Sequence, residues 1–280
     1  MQTVVTTEWV AEHLNDEDIV VAHLAWVHQD SAAAYADYLA GHVPGAIFID
    51  VDGDLSEIGD ARRGRHPLPT PEKLVERLAR KGIGQGKRVI ATERESFKVA
   101  ARLWWLLRWI GVDDVAVLDG GLAKWQDEGR PVETTETTRA VVKPYAIHSR
   151  PGLMLSARDV EYRLQRGEVL LDARAVERFR GEVEALDKRA GHIVGARSIP
   201  LGTLITGSPA HMKSPEELRA QLMAQGITPD QPVTAYCGSG VTACQLLLAL
   251  DQAGYYKIQL YSGSWSEWIE LHPTAGRILT

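Results

Sequence analysis

Short, almost wholly apolar runs alternate with amphipathic stretches along most of the chain. The first half predicts a helix over 7–14 with Thr7 as its N-cap, a strand over 19–24, a helix over 35–40 and a strand over 46–49. A polar loop over 52–70 carries Arg62, Arg63, Arg65 and His66, and Pro71 then starts a helix over 71–80. Next come a strand over 88–91, a strongly apolar helix over 97–110, a strand over 115–118 and a helix over 121–128. Trp104, Trp105 and Trp109 recur at helical spacing, which marks them as core rather than a binding box. The second half repeats the scheme. Ser156 caps a helix over 157–165, and strands over 169–171, 233–236 and 258–261 are interleaved with helices over 215–224, 241–253 and 265–271.

Strands that alternate with helices in this way imply an α/β fold of mostly parallel sheets covered by helices on both faces. The two halves are also related in sequence. Gly41-His-Val-Pro-Gly-Ala46 returns as Gly191-His-Ile-Val-Gly-Ala196, 150 residues later. Leu118-Asp-Gly-Gly-Leu-Ala-Lys-Trp125 is matched by Tyr261-Ser-Gly-Ser-Trp-Ser-Glu-Trp268, 143 residues later. Two matches in the same order at nearly one spacing argue for a duplicated domain. Residues 133–138 are polar and β-branched, with Pro144 and Pro151 nearby. The expected organisation is therefore a domain over 1–135, a linker over 136–152 and a second domain over 153–280.

Composition changes this picture only by exclusion. With 45% hydrophobic and 24% charged residues the chain can bury sizeable cores. A net charge of −6 and a pI near 5.9 leave no basic footprint, which argues against nucleic acid or an anionic membrane as partner. No apolar run approaches the roughly 18 residues of a membrane span, and the N-terminus lacks a basic region followed by an apolar one, so a cytoplasmic protein is expected. Cys237 and Cys244 are the only cysteines, too few for a disulfide framework and wrongly spaced for a redox pair or a zinc set. Cys244, about two helical turns past Cys237, reads as packing.

Cys237 stands where the apolar strand over 233–236 gives way to a glycine-rich loop and then an apolar helix. Amides at a helix N-terminus have no intrahelical partner, and Gly238 and Gly240 let the loop curl so that several point inward. Such a cradle favours an anion, and a thiolate is an anion, which makes Cys237 the candidate nucleophile. Its substrate must then present a soft electrophile. Arg174, Arg178 and Arg180 follow the neighbouring strand, and one of them could clamp a carboxylate or sulfonate by a bidentate fork. Ser239 is close enough to donate to a developing anion or relay a proton, and Thr242 is placed to cap the helix. A cysteine phosphatase needs an arginine closing a C-x5-R loop, and Ala243 stands there instead.

Cys237-Gly-Ser-Gly-Val-Thr242-Ala resembles the active loop of the rhodanese superfamily, in particular of its 3-mercaptopyruvate sulfurtransferases. Gly41-His-Val-Pro-Gly and Gly191-His-Ile are similar to the family signature near the start of each domain, and Gly263-Ser-Trp-Ser-Glu-Trp268 to its C-terminal one. The resemblance implies two tandem rhodanese-like domains, the first non-catalytic. It implies that Cys237 takes sulfur from a small anionic donor, holds it as a persulfide and passes it to a thiol, a thioredoxin-like protein or cyanide, with no cofactor and no metal. It implies substrate contacts from Arg178, Gly238, Gly240, Val241 and Thr242. Ser239, Asp52 and His66 are implied as auxiliary catalytic residues, in a cleft between the domains. Thiosulfate as donor, and a persulfide carrier without turnover, are the alternatives.

Some positions depart from the family pattern. Asp187, with Lys188 and Arg189 alongside, stands near where some mercaptopyruvate enzymes have a second substrate arginine. Glu93-Arg-Glu-Ser-Phe-Lys98 replaces the active loop in the first domain, with Glu93 in place of the cysteine and no glycines, so no persulfide cradle is expected there. His23 stands where the family often has an aspartate, parallel to Asp172.

Overall fold

The structure, a computed structural model, describes residues 1–95 and 97–278; Ser96 of the first-domain loop lies outside them. The chain forms two compact units. Among the described residues one comprises 1–57, 68–150 and 207–211, the other 58–67, 151–206 and 212–278. The basic stretch that the sequence places in the first repeat is thus part of the second unit, held there by contacts with the last helix.

The first unit contains β1 (Val4–Val5), α1 (Thr7–His13), β2 (Ile19–Ala25), α2 (Ser31–Leu39), β3 (Ile47–Asp50), α3 (Pro71–Arg80), β4 (Arg88–Thr92), α4 (Ala100–Trp109), β5 (Val115–Leu118) and α5 (Gly121–Asp127). Its strands lie in the order β1-β5-β4-β2-β3, all parallel. In the second unit β6 (Met154–Leu155), α6 (Ala157–Gln165), β7 (Val169–Asp172), α7 (Val176–Phe179) and β8 (Arg197–Ser198) come first. The chain then runs through β9 (Ile205–Thr206), β10 (His211–Met212), α8 (Pro215–Ala224), β11 (Val233–Tyr236), α9 (Ala243–Gln252), β12 (Ile258–Tyr261) and α10 (Ser264–Leu271). The order β6-β12-β11-β7-β8, again all parallel, repeats that of the first unit. Every residue of β2, β5, β7 and β11 is buried, as strands sandwiched between two helical layers must be.

Local signals explain where the elements begin. Thr6, not Thr7, caps α1, its side chain accepting from the Trp9 amide at 3.2 Å. Ser156 with Asp159 and Ser214 with Glu217 form capping boxes on α6 and α8, arrangements worth about 1 kcal/mol each. The repeated Gly-His motif proves structural: His42 Nδ1 donates to the Tyr38 carbonyl at 2.9 Å while its ring stacks on Tyr38. His192 Nδ1 does the same to the Phe179 carbonyl at 2.7 Å and stacks on Phe179. Trp104, Trp105 and Trp109 are buried core. Residues 136–150, expected as a linker, are laid down on the first unit. The amides of Gln85 and Val142 pair with the carbonyls of Lys143 and Ala79, and those of His148 and Arg150 with Ile110 and Trp109.

Candidate functional site

Cys237 follows β11 directly and is 2% exposed. Its Sγ accepts the Gly240 amide at 3.1 Å, so the loop closes on the sulfur as a cradle of the kind that favours an anion. Gly240 makes this possible. Its φ is +77°, and a Cβ there would strike the Ser262 carbonyl. The loop is braced from α10, where the Trp265 and Ser266 amides donate to the Cys237 and Gly238 carbonyls at 3.1 and 2.9 Å. Ser264 Oγ accepts the Cys237 amide at 3.1 Å. Thr242 occupies the N-cap of α9 without a side-chain capping bond, and Val241 is buried beside it. Cys244 is buried on α9 and its Sγ–H donates to the Gly240 carbonyl at 3.4 Å, a packing and bracing contact.

Two of the predicted auxiliary residues meet here. His66 Nδ1 and Ser239 Oγ share a 2.7 Å hydrogen bond, with both side chains buried. Asp52 belongs to the other compact unit, where its carboxylate accepts the Trp26 indole N–H at 3.0 Å.

The three arginines after β7 have separate fates. Arg174 is buried between the Tyr236 and Trp265 rings and forks onto Asp172, with bonds of 2.6 to 3.1 Å, so it holds the core together. Arg180 is exposed beside Glu182. Arg178 alone reaches the loop: a methyl group built on Gly238 would lie 3.4 Å from its Nη2. The same methyl group would lie 2.8 Å from Nη2 of Arg65, a residue that the sequence placed only in a polar loop. No periodicity or motif in the sequence links Arg65 to Gly238. The signal available was its position next to His66, which the resemblance had already singled out.

In the first unit the equivalent loop, which lacks a thiol, gathers its amides around its own carboxyl group. The Glu93 carboxylate accepts the Lys98, Val99 and Ala100 amides at 2.9, 2.5 and 2.7 Å. Burial pushes this carboxyl up to about 7, against the lowering effect of those amides. His23, opposite Thr92 in the sheet, is fully buried with Asp37 Oδ2 3.9 Å from its Nε2, and burial depresses its basicity against the pull of that carboxylate. Among the described residues no group of three or more His, Cys, Asp or Glu is placed to hold a metal ion, and no helix is long and apolar enough to cross a membrane.

Comparison with known proteins agrees with this geometry. The model of the rhodanese-like domain matches residues 6–128 and again 156–271. The chain belongs to the rhodanese family. A protein of Pseudomonas aeruginosa named a probable 3-mercaptopyruvate sulfurtransferase is 40% identical, over 94% of each chain. The thiosulfate sulfurtransferase of Rattus norvegicus is 31% identical, over 99% of this chain and 95% of its own. The crystal structure of SseA from Escherichia coli, described among 3-mercaptopyruvate sulfotransferases of rhodanese fold, superposes with a TM-score of 0.83 at 32% identity, covering 95% of this chain and 99% of its own. Both units are thus rhodanese domains, and the second carries the loop with a cysteine.

Proposed function

We propose that this sulfurtransferase moves sulfane sulfur from 3-mercaptopyruvate, through a persulfide on Cys237, to a thiol, a thioredoxin-like protein or cyanide in the reducing setting of the cytoplasm. The observation that carries the reading is the Cys237 loop itself, a thiol in an amide cradle with a Ser239–His66 pair beside it and Arg178 over Gly238. The similarity to relatives named for 3-mercaptopyruvate supports the choice of donor.

In this mechanism the Cys237 thiolate attacks the donor's sulfur, forming an S–S bond as the C–S bond breaks. The electron pair leaves on the methylene carbon of pyruvate enolate, which takes a proton relayed through Ser239 and His66. An acceptor thiolate then attacks the outer persulfide sulfur, and Cys237 departs as thiolate. Two easier displacements thereby replace one difficult transfer. Arg178 fixes the donor's carboxylate, while Gly238, Gly240, Val241 and Thr242 shape the pocket around it. Asp52 enters this reading through the resemblance, as an auxiliary to Ser239 and His66.

Thiosulfate is the second reading, favoured by the near full-length similarity to the rat thiosulfate sulfurtransferase. Steady-state kinetics with both donors, against cyanide and a dithiol, separate the two. The expected result is a higher kcat/KM with 3-mercaptopyruvate, and a loss of roughly 10³-fold or more in Cys237→Ser. A higher kcat/KM with thiosulfate overturns the donor, full activity in Cys237→Ser overturns the mechanism, and stoichiometric persulfide without turnover makes the chain a carrier.

A further inference from the structure

Beside the Cys237 loop two guanidinium groups meet two carboxylates. Arg65 Nη1 donates to Asp187 Oδ1 at 2.5 Å, and Arg178 Nη2 donates to Asp187 Oδ2 at 3.0 Å, so one carboxylate spans both arginines. Arg178 also forks onto Glu184, with bonds of 2.6 and 3.1 Å. Both carboxylates are 2% exposed in their side chains, whereas Arg65 and Arg178 keep about a fifth of theirs open. Arg65 Nε is buried without a hydrogen-bond partner, a donor left with capacity for an anion. Gly238 lies under this group: a methyl group on it would sit 2.8 Å from Arg65 Nη2, 3.4 Å from Arg178 Nη2 and 3.5 Å from Asp187 Oδ2. Burial raises the Asp187 carboxyl above the ordinary aspartate range while the guanidinium groups pull it down, so this carboxylate is costly to keep charged.

We propose that Arg65 is the second guanidinium of the donor site and that Asp187 lies across Arg65 and Arg178 as an internal stand-in for the donor's carboxylate, favouring monoanionic over dianionic donors. Arg65 and Arg178 balance Asp187 and Glu184 in charge. A monoanionic carboxylate that displaces Asp187 exchanges like for like, whereas a dianion such as thiosulfate brings one negative charge too many into a half-buried site. The second cation of this group comes from the segment that also supplies His66.

The proposal rests on Cys237 being the reactive thiol, and its test does not need the natural donor. Iodoacetate and iodoacetamide alkylate a thiolate in the same way, with iodide leaving, and differ in carrying a carboxylate or a neutral amide. The ratio of their inactivation rates is measured on wild type, Arg65→Gln and Asp187→Asn, with Cys237→Ser as the blank. The expected ratio falls about tenfold in Arg65→Gln and rises about fivefold in Asp187→Asn. Arg65→Lys, which keeps the charge, recovers most of the loss. With 3-mercaptopyruvate, Arg65→Gln raises KM far more than it lowers kcat, and Asp187→Asn improves thiosulfate more than 3-mercaptopyruvate. Ratios within twofold of wild type in both variants overturn the proposal, and Asp187→Asn, which keeps the side chain's shape, carries the test alone if Arg65→Gln does not fold. A shifted ratio together with thiosulfate as the better donor keeps the clamp and removes the mercaptopyruvate reading; an unshifted ratio with mercaptopyruvate as the better donor does the reverse.

Discussion

The loop after β4 and the loop after β11 are the same device with different contents. In each, a parallel strand delivers the chain to the N-terminus of an apolar helix, and the following helix braces the loop through two amides. Leu122 and Ala123 donate to the Glu93 and Arg94 carbonyls at 2.9 Å, as Trp265 and Ser266 donate to Cys237 and Gly238. Even the left-handed backbone of the brace recurs, at Gly121 with φ 56° and at Ser264 with φ 55°. What differs is the anion. Glu93 reaches three amides with its own carboxyl group, whereas the shorter Cys237 side chain accepts one, from Gly240, in a loop that glycines shape. The fold supplies anion stabilisation twice, and one side chain decides whether it is spent on structure or on chemistry.

The largest effect is expected at Glu93, on the closed side. A buried carboxyl with a native pKa of about 7 holds its proton where the unfolded chain, near 4.5, has lost it. Between those values the native state binds more protons, so this group's contribution to stability falls as pH rises from about 4.5 to 7, by about 3 kcal/mol in all. Urea unfolding of wild type and Glu93→Gln across pH 4.5 to 8 measures it: the variant's stability curve should lack that decline. Parallel curves would mean that Glu93 is charged throughout and that its three amides outweigh its burial.

The open side is sharpened by His66. Pyruvate enolate needs a proton as it leaves and sulfite does not. His66→Ala is therefore expected to lower kcat with 3-mercaptopyruvate by about 10²-fold and to leave thiosulfate turnover much less affected. Asp52→Asn should follow the same donor preference with a smaller loss. Equal losses with both donors would assign His66 to holding Ser239 in place and not to proton transfer.

The fold was legible because parallel strands buried on both faces leave uninterrupted apolar runs, and because duplication repeats its landmarks. The loop was legible for a local reason, since Cys237, Gly238 and Gly240 are adjacent in the chain. Arg65 and Asp187 were not, because their pairing joins residues 122 positions apart and depends on where residues 58–67 fold. Nor do spacing and composition distinguish Arg174 from Arg178, four residues apart, although the resemblance does. The first is sequestered by Asp172 on the preceding strand, the second turned towards the loop by α7. The start of α4 was misplaced for a related reason: Phe97 takes φ 65° while Glu93 captures the next three amides, so the helix begins at Ala100 and not at 97.

The smallest expected effect lies just behind the open loop. Cys244 is fully buried on α9, its sulfur against the Gly240 carbonyl, and could be taken for a resolving thiol only from its distance in sequence. A thiol that resolves a persulfide must reach the outer sulfur, and the Cys244 thiol is instead committed to the Gly240 carbonyl inside the core. Cys244→Ala removes a small side chain and a weak donor, so stability should fall by about 1 kcal/mol and kcat/KM should stay within about threefold. Thermal unfolding and donor kinetics on the same preparation check both parts. A folded Cys244→Ala protein that accumulates persulfide but no longer passes sulfur to a dithiol would make the second cysteine part of the chemistry, and the contrast between the two loops would then rest on two thiols instead of one.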